Sequence, residues 1–105
     1  MSNKNVTPWL ATNISTDTTI LATAGVFGGF AIIPATTAAC KAIAYDASAT
    51  AAGVAIYVAS VASTAGIGNN PFMVEGGIMC RNGIHIDVTC TTASDQVIVY
   101  YSKIG

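Results

Sequence analysis

Isoleucine and valine carry almost all the aliphatic bulk of this chain: 12 Ile and 9 Val stand against only 2 Leu. Helical cores lean on leucine, whose stem keeps rotamer freedom on a helix, whereas β-branched side chains lose it and fit a pleated sheet. Thirteen Thr and four Tyr push the same way. The 18 Ala are the counter-signal, because alanine is the best helix former. They stand beside Thr, Ser and Gly, without helix caps and without charged pairs at i,i+4 spacing. They read as small side chains in packed strands and turns. An all-β chain is expected.

The strands can be placed from alternation and punctuation. Residues 18–23 (TTILAT) and 26–33 (VFGGFAII) read as strands, and Pro34 ends the second. Gly28 and Gly29 mark a bulge or a close backbone approach. In residues 39–45, Lys41, Ile43 and Tyr45 share one face, and Cys40, Ala42 and Ala44 the other. Residues 46–53 form a loop opened by Asp46. Residues 54–60 alternate again, with Val54, Ile56 and Val58 on one face. Residues 62–71 are a long loop, 72–75 a short strand, and Gly76-Gly77 a turn. Asn82-Gly83, between 78–81 and 84–90, is the strongest hairpin signal in the chain. In the second of those strands Ile84, Ile86, Val88 and Cys90 oppose His85, Asp87 and Thr89. Residues 96–104 are the last strand. About seven or eight short strands without strand–helix alternation predict an antiparallel β-sandwich of Greek-key or jelly-roll topology.

With 105 residues the chain makes one domain. Residues 1–17 are expected to be an N-terminal arm and the lead-in to the first strand, and 18–105 a single sandwich. The arm ends in Pro8, Trp9 and Leu10, the candidate partner-binding residues. Packing of Trp9 on the domain's own core is the more common use of such a residue.

Composition bears on function too. Four Lys/Arg, at positions 4, 41, 81 and 103, cannot neutralise many phosphates, so no nucleic-acid partner is expected. The N-terminus has no apolar signal segment. The charge-free stretches 18–40 and 47–74 are broken by Thr, Gly, Asn and Pro and lack aromatic and basic flanks, so no membrane span is expected. Three cysteines, Cys40, Cys80 and Cys90, are expected as reduced, core-filling thiols. A zinc site would need all three and His85, without motif spacing.

No cofactor is expected. His85 and Asp87 stand two apart on one strand face and could complete a Ser/His/Asp set. A solvated face explains them as well, and no nucleophile-elbow sequence accompanies them. A two-residue turn at Asn82-Gly83 would also set Cys80 opposite His85, which could activate the thiol, but no orienting group or oxyanion donor accompanies the pair. The five acidic residues are dispersed, and Gly66-Ile-Gly-Asn-Asn70 lacks the lysine and helix of a phosphate cradle. No catalytic residue is assigned, and the chain is not expected to be an enzyme. Only 9% of residues are charged, so much of the outside is uncharged. Such a surface is tolerated when partners cover it, which favours a subunit of an assembly.

Ile43-Ala-Tyr-Asp46, the small-residue loop to Gly53 and Val54-Ala-Ile-Tyr57 resemble the central hairpin of small β-sandwich virion proteins of tailed bacteriophages. Gly77-Ile78, Arg81-Asn-Gly-Ile84, Ile86-Asp-Val-Thr89 and the closing Val97-Ile-Val-Tyr-Tyr101 fit the same layout. The resemblance is one of strand and turn pattern, and it covers roughly residues 18–104. It implies a capsid decoration (cement) protein, a homotrimer on the outer surface of the head that clamps adjacent major capsid proteins. It implies no catalytic residue. The arm and Trp9 would then contact the lattice or a neighbouring subunit. Two alternatives belong beside it. One is a tail or head-fibre module for host attachment through loops 46–53 and 62–71. The other is a small carbohydrate-binding sandwich, disfavoured by the lone Trp.

Overall fold

A computed structural model describes residues 9–34, 39–49, 53–61, 70–90 and 95–104. They form eight strands: β1 (Leu10–Ile14), β2 (Thr18–Leu21), β3 (Gly25–Ile33), β4 (Cys40–Asp46), β5 (Val54–Val61), β6 (Asn70–Cys80), β7 (Ile84–Cys90) and β8 (Gln96–Lys103). The expected arm at 1–8 and parts of the expected loops (50–52 and 62–69) lie outside the described residues.

One sheet has the order β1-β8-β3-β6 and the other β2-β7-β4-β5. First pairs with last, second with seventh, third with sixth and fourth with fifth, all antiparallel. Lateral pairing of β3 with β8 and of β4 with β7 closes the roll. The chain is thus a long hairpin folded over on itself, the jelly-roll sandwich. The expected boundary at residue 18 falls between β1 and β2, inside the sandwich.

The core lies between the sheets and is built from alternate residues. Ile84 and Ile86 of β7, Ala42 and Ala44 of β4, and Val97 and Val99 of β8 are fully buried. These are the faces that alternation assigns. Phe27 and Phe30 break the simple rule. Three residues apart, they would point to opposite faces of a regular strand. The register against β8 slips between Phe27 and Gly29, so Gly28 is an extra residue with no partner. Gly29, at φ +130°, takes the backbone through a region that side chains disfavour. The bulge turns Phe30 back to the core. The two rings meet edge-on at 4.9 Å and both pack on Tyr57. The expectation of a bulge at this pair holds.

Two turn assignments are corrected. Gly76 and Gly77 do not separate strands, because β6 runs through them. Ile78 pairs with Phe27 and Met73 with Gly29, so residues 74–77 bulge out opposite Gly28, with both glycines at positive φ. Asn82-Gly83 does not close a two-residue hairpin. It crosses from β6 in one sheet to β7 in the other. β6 pairs with β3 and β7 with β2 and β4, and the Asn82 backbone N–H donates to Asp46 Oδ1 at 2.8 Å instead of closing a turn. Asp46 is itself the last residue of β4.

Candidate functional site

The roll sorts the connections to two ends. Those after β2, β4 and β6 gather at one end, where Asp46 pairs with both Val54 and Ile84. Those after β1, β3, β5 and β7 gather at the other, where Cys40 pairs with both Val61 and Cys90. The segments 46–53 and 62–71 are therefore rooted at opposite ends. Asn70 and Pro71, expected in the second loop, belong to β6.

Cys40 and Cys90 stand directly opposite each other on β4 and β7, with Cα atoms 4.1 Å apart, and are joined as a disulfide. This corrects the expectation of three reduced thiols: the jelly-roll register brings two of the core-facing cysteines together. Asp95, immediately before β8, is fully buried, and its carboxylate oxygen and the two sulfurs all lie within 4.8 Å of one another. A cavity of about 490 Å³ opens beside them, lined by Ala39, Cys40, Lys41, Ser60, Val61, Thr89 and Cys90. Lys41 pairs with Ser60 on one side and Thr89 on the other, so a hydroxyl–ammonium–hydroxyl row crosses β5, β4 and β7. The zinc set considered from sequence does not assemble. Cys80 is in the other sheet, buried against Gly25, and His85 is five residues along β7 from Cys90.

His85 and Asp87 do touch. Nε2 lies 3.2 Å from Asp87 Oδ1, and Nδ1 lies 2.9 Å from Thr19 Oγ1 on the neighbouring strand β2. His85 is 7% exposed although it faces outward, because β2 and the segment after β4 cover it. The Thr19 hydroxyl donates to the Ala49 carbonyl at 2.5 Å. The row ties β2, β7 and the β4–β5 connection together.

The Cys80–His85 pair is corrected as well. Cys80 is fully buried in the first sheet, while His85 lies on the outside of the second. Burial, and secondarily the charge of Asp46, push the Cys80 thiol up to about 11. That is the opposite of activation.

Of the candidate partner-binding residues, Pro8 lies outside the described residues. Leu10 opens β1 opposite Tyr101 and is 43% exposed. Trp9 lies against its own sheet: a β-carbon on Gly28 would come within 2.8 Å of its Cζ3, and one on Gly77 within 3.0 Å of its Cη2. The ring fills the dip left by facing glycines of β3 and β6, and 38% of the residue stays exposed. The glycine pairs were visible in sequence, but their meeting under Trp9 needs the β3–β6 pairing.

The remaining exposed bulk is concentrated. Val54 (72% exposed) and Val58 (54%) lie on β5, and Met73 and Met79 on β6. These are edge strands of the two sheets, and they touch along one flank of the sandwich. Among the described residues no helix is long and apolar enough to cross a membrane. No family model, curated protein or solved structure matches the chain.

Proposed function

We propose that the chain is a non-enzymatic virion structural protein, a decoration protein that binds the major capsid protein lattice on the outside of a phage head as a homotrimer. The observation that carries this reading is the β5 edge. It is eight residues long, uncharged, and exposes Val54 and Val58. Free monomers guard such edges with charge, proline or strong bulges, because an open edge recruits another strand. β6 has such guards in Pro71, Glu75 and the long Gly76-Gly77 bulge, whereas β5 has no charge or proline and only a single extra residue, Ile56, in its pairing with β4. An edge of this kind is at home where a second copy or a lattice covers it. The jelly-roll sandwich and the low charge fit the same role, as does the resemblance to phage virion sandwiches.

The fibre alternative assigns host attachment to loops 46–53 and 62–71, which would act most simply as one surface. Their roots at opposite ends of the roll disfavour it. The test is co-sedimentation with expanded heads of the phage that encodes the chain, prepared without decoration. The protein pellets with the heads at saturable stoichiometry, and Val58→Glu releases it. A wild-type protein that stays in the supernatant overturns the proposal.

A further inference from the structure

We propose that Cys40, Cys90 and Asp95, in the dithiol form of the protein, are a binding site for one thiophilic divalent cation of the zinc class. The site does not rest on the virion role.

Three donors converge from three strand ends. Cys40 begins β4, Cys90 ends β7, and Asp95 immediately precedes β8. Their ligand atoms already lie within 4.8 Å of one another. In a tetrahedral zinc site, with Zn–S near 2.3 Å, sulfurs sit about 3.8 Å apart, so the opened pair needs only side-chain rotation to reach that spacing. Directly paired strands hold the two Cα atoms 4.1 Å apart, close enough for both sulfurs to meet one ion. Asp95 is fully buried, so its carboxylate is held in place beside the two sulfurs. Two thiolates and one carboxylate suit zinc, cobalt(II) or cadmium, and they disfavour calcium and magnesium, which take all-oxygen shells. Cys40 and Cys90 also line the cavity of about 490 Å³, so a fourth position opens to water. The bound set carries a net charge of −1.

Metal and disulfide are alternative states of the same pair. A dithiol reductant passes two electrons to the S–S bond and leaves as its own cyclic disulfide, and Cys40 and Cys90 become thiols. The cation then displaces two thiol protons, forming two metal–sulfur bonds and one metal–oxygen bond. The disulfide joins β4 to β7 within one sheet. The metal reaches β8 as well and so clips the two sheets together at the open end of the roll.

The test uses the full chain, reduced by a water-soluble phosphine under argon and titrated with Co²⁺. The expected result is one Co²⁺ per chain, with thiolate-to-cobalt charge-transfer bands and the strong visible bands of four-coordinate cobalt, both bleached by Zn²⁺. The oxidised chain gives neither. Asp95→Asn weakens binding roughly tenfold or more and shifts the visible bands, whereas Cys80→Ser changes nothing. The proposal is overturned if the folded, reduced wild type shows no charge-transfer bands. It is overturned equally if the reduced chain unfolds and Co²⁺ does not refold it. Bands lost in Cys80→Ser, or affinity unchanged in Asp95→Asn, would contradict the ligand set. The oxidised and reduced wild type decide the matter even where a Cys40 or Cys90 variant fails to fold.

Discussion

Trp9 lies over Gly28: the Cζ3 and Cε3 atoms of the indole stand 2.8 and 2.9 Å from where a Gly28 β-carbon would be. The bulged residue of β3 is thus also the seat of the only tryptophan. Gly28 is not among the positive-φ glycines, so alanine meets no backbone strain there. Its methyl group instead collides with a rigid ring. Gly28→Ala is expected to lift Trp9 off the sheet, red-shift its fluorescence, and cost about 1–3 kcal/mol by overpacking. Unchanged emission and urea midpoint would contradict the packing described.

Cys80 gives a pH signature. Its folded thiol is raised from 9.0 to about 11, chiefly by burial. An acid held neutral in the fold loses stability as the unfolded form ionises. The contribution is therefore complete below about pH 9 and declines as pH rises from 9 towards 11, by about 2–3 kcal/mol in all. Urea titrations at pH 8 and pH 10.5 should show a larger loss in the wild type than in Cys80→Ala. Iodoacetamide at pH 8 should label Cys80 in the native protein at least about a hundredfold more slowly than in the unfolded chain.

The Thr19 hydroxyl serves two partners, the Ala49 carbonyl and His85. Thr19→Val keeps the shape and removes both bonds, leaving the buried His85 Nδ1 without this partner. A loss of about 0.5–1.5 kcal/mol is expected, with Thr19→Ser close to wild type. Equal stability of Thr19→Val and wild type in urea would contradict the network.

The fold was legible where alternation and β-branching agree. The strand of Ile84 and Ile86 and the faces of Cys40, Ala42 and Ala44 follow from period two alone. The errors came from punctuation read too locally. Asn82-Gly83 and Gly76-Gly77 carry turn chemistry, but tertiary pairing uses the first to change sheets and the second to bulge within a strand. The site was less legible for the same reason. Cys40 and Cys90 are 50 residues apart, and only the β4–β7 register makes them neighbours. His85 and Asp87 could be seen to touch from their spacing, but Thr19 comes from a different strand and had no local signal.

The β5 edge makes the most direct demand on the proposed role, because it must be covered by another copy or by the lattice. The decisive measurement is the native mass of the oxidised protein in buffer without reductant, by light scattering on a sizing column. A trimer, about three times the 10.6 kDa chain mass, is predicted, with Val58→Glu shifting it towards monomer. A wild type that stays monomeric at every concentration, with Val58→Glu indistinguishable from it, would contradict the homotrimeric decoration protein.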